Sequence, residues 1–256
     1  MRLNKTTKTV AKRTAGAKPK ARPRKSAPRP AASPPRAAEP EPLIDCDAAL
    51  HAACEKLVAH DPDVAGKLAA LGGYPPLRRR EPGFAGLAMI IVSQQVSAAS
   101  ASAIFGRLEA ALAPLEPQSL LLAEEATLRA CGLSTNKIKA LRAVAEAASN
   151  GLDLAGLARL EAEAAHAELT RVKGVGPWTA DVFLLFCLGH PDAFPAGDLA
   201  LQEAARLALG LKKRPDARKL EKIAERWRPL RGVAARMLWA YYRAAKRSAG
   251  LALTNA

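Results

Sequence analysis

At 256 residues and 49% apolar content, the chain is long enough for one large domain or two small ones with a real core. Its longest apolar-or-glycine run, FAGLAMIIV at 84–92, falls far short of the ~20 residues of a membrane span, and no apolar core follows the basic start. The expectation is therefore an intracellular protein without membrane association, and its net charge of +15 is unevenly held: residues 1–38 carry 12 Lys/Arg and no Asp/Glu, which leaves +3 for the rest.

Residues 1–42 form a Lys/Arg/Ala/Pro tract with eight prolines and few large apolar side chains. Such a segment cannot bury enough surface to offset its ordering entropy, so it is expected to be a disordered tail. It can serve as an electrostatic tether to nucleic acid, because phosphate contacts release counterions without reading sequence. A solubilising extension and a transit peptide are the alternatives. The proline content opposes the amphipathic helix of a transit peptide.

From Leu43 to about 250 the pattern is helical, and this range is read as one domain. CDAALHAACEKLVAH (46–60) is the first predicted helix, and Asp61-Pro62 reads as an N-cap with proline at the first helical position. GGYPPLRRREPG (72–83) reads as a loop. Helices follow at 84–95 and 97–112, meeting near Gln95-Val96, then at 117–130, 135–149, 152–158 and 161–172. A glycine hairpin precedes a helix from Pro177 to about Gly189, and others run from Asp198 to about Gly210, at 216–227 and at 232–249. No segment alternates with period two, so the fold class is all-α. Cys46, Cys54, Cys131 and Cys187 form no C-x-x-C pair and match no zinc or iron–sulfur spacing. All four are expected to be reduced core residues. The four histidines (51, 60, 166 and 190) lie apart in sequence and indicate no metal site.

The stretch LTRVKGVGPWTADVFLLFCLGHPDAFPAGDLAL (169–201) carries the chemistry. Gly174 and Gly176 permit positive φ and close approach of another chain, and Pro177 starts a helix whose first amides are free. Lys173, Gly174, Val175 and Gly176 are thus candidates for gripping a nucleic-acid backbone, with Arg171 adding charge. Alone, Gly-Val-Gly is more often a tight turn between helices. Asp198 is an isolated carboxylate that can act on whatever the hairpin presents. It can equally N-cap the following helix, and the two roles are compatible.

LTRVKGVGPWTADVFLLFCLG followed by FPAGD resembles the helix-hairpin-helix, Gly/Pro-rich loop, Asp superfamily of DNA glycosylases, and within it the 3-methyladenine DNA glycosylase II branch. IVSQQVSAASASAIFGRL (91–108), STNKIKALRAVAEAA (134–148) and AERWRPLRGVAARMLWAYY (224–242) extend the resemblance from about Ile44 to about Ala244. It implies two helical subdomains flanking a cleft, with the hairpin spanning 169–189, and no N-terminal β-domain. It also implies a monofunctional glycosylase of base excision repair, acting on double-stranded DNA that contains alkylated bases, and a monomer is expected because flipping one base needs no more.

Residue by residue, Asp198 matches the family's catalytic aspartate, a group suited to stabilising oxocarbenium character on a sugar while orienting water. Trp178 stands where strand-cutting relatives carry a lysine nucleophile, and a tryptophan cannot form a Schiff base. Trp178, Trp239 and Tyr241 (or Tyr242) are the implied base-pocket aromatics, each of which can instead be a core residue. Val182 replaces a pocket tyrosine of some relatives. Gln95 matches the residue that enters the duplex when a base is flipped out, and a polar helix end is its alternative. The family hairpin binds a monovalent cation (Na+ or K+) through main-chain carbonyls, here those of Thr170, Val172 and Gly174. With no cysteine after Cys187, the C-terminal iron–sulfur cluster of other relatives is not expected, nor is any cofactor for catalysis. A glycosylase for another base such as hypoxanthine, and a non-catalytic module for distorted duplex, are the competing readings.

Overall fold

Helical periodicity from Leu43 onward becomes α-helix almost throughout. The computed structural model describes the backbone of residues 41–254 and the side chains of 41–248. The disorder expected of the basic tract therefore falls, but for Glu41 and Pro42, outside the described residues. In chain order the helices are α1 (Asp47–His60), α2 (Val64–Gly72), α3 (Phe84–Ser93), α4 (Ala98–Ala111), α5 (Pro117–Leu122) and α6 (Glu125–Ala130). They continue with α7 (Thr135–Ser149), α8 (Ala162–Thr170), α9 (Pro177–Phe183), α10 (Leu199–Ala208), α11 (Ala217–Ala224) and α12 (Arg231–Thr254). No strand occurs among the described residues, and no described helix is long and apolar enough to cross a membrane.

Local chemistry explains most of the ends. The Asp61 side chain accepts from the Val64 amide at 3.2 Å and its carbonyl accepts from Ala65, so Asp61 caps the turn that leads into α2, whose adjoining residue Asp63 makes no capping bond. Ser97 and Ser134 cap α4 and α7 in the same way. Three predicted elements differ. The helix expected over 117–130 is split, because Ala123 and Glu124 are extended and start a second helix. The segment at 152–158 yields only a 3₁₀ turn, Gly156–Arg159. The helix after Pro177 widens into a π-helical turn, Leu184–Leu188, closed by Gly189 in the left-handed conformation.

One group of helices packs around α12, which lies against α1, α2 and α10. The other packs around α3, which is apolar nearly all round and contacts α4, α7 and α9. A single apolar core joins the groups, with Leu87, Ile91, Phe183 and Leu238 fully buried within it. Cys54, Cys131 and Cys187 are buried there as free thiols. Cys46 is not: it is exposed at the N-cap of α1, where its Sγ accepts from the Ala49 amide at 3.4 Å. A residue just outside the first turn has no core face to occupy.

Candidate active site

α8 and α9 form the hairpin, and the turn between them presses on α7. Gly174 takes φ +90°, and a Cβ there would stand 2.6 Å from the Ala140 Cβ, so only glycine fits. Gly176 differs: its φ is −86° and a Cβ would meet nothing within 4 Å. Nothing inside the protein requires glycine at 176, and the position faces open space. Lys173 is exposed beside it. Val175 departs from its expected role, because its side chain is buried and its amide donates to the Val172 carbonyl at 3.0 Å, leaving no free donor. Within the described residues, the amides of Gly174 and Gly176 and the carbonyls of Thr170 and Gly174 make no backbone hydrogen bond. Such end-of-helix carbonyls are orphan acceptors, a donor set suited to a hard monovalent cation.

Asp198 is reached by a loop held firmly at both ends. Arg231, in the first turn of α12, grips Asp192 through Nε at 2.9 Å and Nη2 at 2.6 Å. The buried amide of Gln202 donates to the Ala196 carbonyl at 2.9 Å. Beyond this loop Asp198 caps α10, its Oδ1 accepting from the Leu201 amide at 2.8 Å. The same carboxylate receives two indoles. Trp178 Nε1 donates to Oδ2 at 3.2 Å and Trp239 Nε1 donates to Oδ1 at 3.1 Å. Capping and a place at the candidate centre therefore coexist in one residue.

These three side chains border a cavity of about 670 Å³, the size of a small-molecule site. α9 supplies Trp178 and Val182, α12 supplies Trp239, and Ile90 and Ser93 come from α3. Phe186, on the π-helical turn, stacks against Trp239 with centroids 5.6 Å apart and planes 29° from parallel. The Arg236 guanidinium lies 4.8 Å above the Phe186 ring. One face of Trp239 is therefore taken by Phe186, while Trp239 and Trp178 both line the cavity. Burial, before any neighbouring charge, lowers the Arg236 pKa to about 10.

Tyr241 does not line the cavity. It is buried against the end of α2, where a Cβ on Gly72 would stand 2.6 Å from the Tyr241 backbone nitrogen. Successive helical residues turn by about 100°, so Arg236, Trp239 and Arg243 share one face of α12 while Tyr241 points away. Tyr242 is half-buried and carries Lys246 over its ring at 5.2 Å, and it too lies off the cavity lining. The sequence does not single out Phe186, Arg236 or the Arg78–Arg80 stretch, the last because its loop reads only as a connection.

Gln95 is exposed in the short link between α3 and α4, beside the cavity residue Val96. It is the only non-glycine residue with positive φ (57°) among the described residues. Its neighbour Gln94 donates through Nε2 to Thr179 Oγ1 at 2.8 Å, and Lys137 Nζ donates to the Val92 carbonyl at 2.8 Å. The link is thereby tied to α9 and α7, and the Gln95 side chain is free to project.

A second, smaller cavity of about 230 Å³ also borders α9, lined by His166, Asp181, Glu163 and Glu221 among others. Burial, tempered by Arg231 and reinforced by Glu221 and Glu163, raises the Asp181 pKa to about 8. Burial also lowers that of His166, whose Nε2 is 3.8 Å from Asp181. No group of three or more His/Cys/Asp/Glu able to hold a metal occurs among the described residues.

Residues 88–229 match the family model described as "HhH-GPD superfamily base excision DNA repair protein". The chain is 33% identical to DNA-3-methyladenine glycosylase 1 of Schizosaccharomyces pombe over 177 residues, 66% of this chain and 77% of that protein. The crystal structure of a DNA-3-methyladenine glycosidase from Bacillus halodurans superposes with a TM-score of 0.67 at 33% identity, covering 74% of this chain and 88% of that one. A 3-methyladenine DNA glycosylase of Schizosaccharomyces pombe in complex with abasic DNA superposes with a TM-score of 0.60 at 30% identity, covering 73% and 95%.

Proposed function

The chain belongs to the HhH-GPD superfamily of base excision DNA repair proteins, and we propose that it is a monofunctional DNA glycosylase for alkylated bases of the 3-methyladenine type. The observation that carries this reading is Asp198: a carboxylate at the edge of an aromatic cavity, oriented by two indole donors on different helices. An N-glycosidic bond breaks with positive charge growing on the sugar, and a carboxylate aimed at that charge lowers the barrier. Water adds to the sugar carbon as the base departs, and Asp198 orients that water or accepts its proton. A methylated purine leaves as a neutral molecule, which removes the need for a strong acid behind it. Electron-poor rings gain about 0.5–2 kcal/mol over an aromatic face, and Trp178 and Trp239 bring aromatic rings to the cavity wall.

DNA reaches the cavity by flipping of one nucleotide, with Gln95 entering the space it leaves. The Gly174 and Gly176 amides and Lys173 contact the backbone, and the Thr170, Val172 and Gly174 carbonyls would hold a monovalent cation that adds positive charge toward a phosphate. No lysine is among the residues lining the cavity, which supports base release without strand cleavage. The test is incubation with duplex DNA carrying methylated bases. Free base and alkali-labile abasic sites are expected, with no strand cleavage until alkali is added. Tight duplex binding without release of any alkylated base would favour the non-catalytic reading, and release of hypoxanthine alone would shift the base preference.

A further inference from the structure

Five arginines line the main cavity: Arg78, Arg79 and Arg80 from the connection between α2 and α3, and Arg236 and Arg243 from α12. The only carboxylate among the lining residues is Asp198, already engaged with two indoles and a backbone amide. Two of the five are used internally, since Arg79 donates to the Cys187 carbonyl at 3.2 Å and Arg236 to the Leu185 carbonyl at 2.7 Å. Arg78 and Arg243 are exposed, and no described acidic group pairs with either. Burial, followed by the like charges of Arg78 and Arg247, pulls the Arg243 pKa below its ordinary range. Arg247 stands one turn beyond Arg243 on α12.

Like charges gathered at a cavity rim without a counter-ion oppose folding, and they would also repel an electron-poor base. An anion brought by the ligand removes both penalties. A nucleotide turned into the cavity stays joined to its strand by two phosphodiesters, which must cross the rim. A guanidinium presents paired donors that match phosphate oxygens.

We propose that Arg78 and Arg243, extended by Arg247, form a phosphodiester clamp that holds the strand beside the flipped nucleotide. The clamp rests on the glycosylase reading, and it belongs to different elements from the hairpin grip. Charge is answered only when the base arrives as part of a strand, so a free nucleoside does not engage it.

The test uses the full chain and a duplex with a tetrahydrofuran abasic analogue, in which the phosphates flanking the analogue are replaced one at a time by neutral methylphosphonates. In the wild type, at least one replacement should weaken binding about fivefold or more, as loss of a charge-assisted contact requires. The Arg78→Ala/Arg243→Ala pair should lower the slope of log Kd against log salt by about 1.8, roughly 0.9 per lost contact, and abolish the penalty of that same replacement. The Arg78→Gln/Arg243→Gln pair should behave alike and guards against misfolding of the alanine protein. An unchanged salt slope, or an equal methylphosphonate penalty in wild type and variants, overturns the clamp and leaves the glycosylase reading intact. Failure of the wild type to bind the duplex at all overturns that reading, and the clamp with it.

Discussion

Two carboxylates close to one short helix meet opposite fates. Asp198 lies at the edge of the large cavity, half-exposed, with three donors within 3.2 Å of its oxygens. Asp181, one turn along α9 from Trp178, sits in the small cavity among Glu163, Glu221, Arg231 and an imidazole 3.8 Å away, none of which donates a hydrogen bond to it, and burial lifts its pKa to about 8. Both are aspartates near the hairpin, and both are shielded by apolar neighbours. What separates them is the supply of aimed donors together with a large, aromatic-lined cavity for a guest. A carboxylate with both can do chemistry on a ligand; one with neither is a cost that the fold carries.

The sharpest way to break this contrast is to exchange each carboxylate for its amide. Asp198→Asn should reduce the single-turnover rate of base release by about 10³-fold or more, as loss of a preorganised transition-state charge implies. Asn keeps an oxygen for the Leu201 amide and the Trp239 indole, but its NH2 group faces Trp178 Nε1 donor to donor, so the melting temperature should fall by only a few degrees, roughly 2–6 °C. Release that survives this change would remove Asp198 from the chemistry.

The indole donors come next. Trp239→Phe keeps a ring against Phe186 but deletes one hydrogen bond to the carboxylate, and Trp178→Phe does the same from α9. Each should slow release roughly 10- to 100-fold, the equivalent of the ~1.5–3 kcal/mol of a hydrogen bond to a charged group. A change below twofold in both would mean that the indoles merely fill space.

Gln95→Gly separates backbone from side chain at the link between α3 and α4. Glycine accepts φ of 57° without strain, so stability should rise by about 0.5–1 kcal/mol. Release from duplex should nevertheless fall severalfold, while release from single-stranded DNA, which has no stack to fill, should not. Equal losses on both substrates would argue against entry of Gln95 into the duplex.

The smallest effect belongs to Asp181 and concerns pH. Its folded pKa of about 8 lies above the unfolded value near 3.8, so the folded state retains a proton that the unfolded state releases. Stability contributed by that proton is full below pH 4 and declines as pH rises toward 8. Asp181→Asn should therefore raise the melting temperature most at pH 8 and above, by roughly 3–6 °C for ~1–2 kcal/mol, and hardly at all near pH 4. Base release should be unaffected. Thermal scans across this pH range that show no growing difference would mean that Asp181 finds a partner the fold does not display.

Much of this is legible in the sequence, within physical limits. α7 was predicted at its observed bounds, 135–149, because its cap and its apolar spacing are local signals. The break inside 117–130 was not, since no glycine or proline marks it and only packing against α7 separates α5 from α6. Cys46 was placed in the core by periodicity, yet it precedes the first turn and so faces water. The sequence offers Val175 as a backbone donor, although a four-residue turn consumes its amide.

By itself the sequence determined the helical class, the hairpin and the solitary carboxylate after it, because periodicity, caps and positive-φ glycines act over a few residues. Only the tertiary structure decided what Asp198 meets. Its indole donors lie 20 and 41 residues away along the chain. The rotation of α12 places Trp239 at the cavity and turns Tyr241 into the core. The same rotation brings Arg243 near Arg78, more than a hundred and fifty residues earlier, and so assembles the basic rim. Periodicity tells which face of a helix is apolar, but which neighbour that face will find depends on how separate helices close on a shared core.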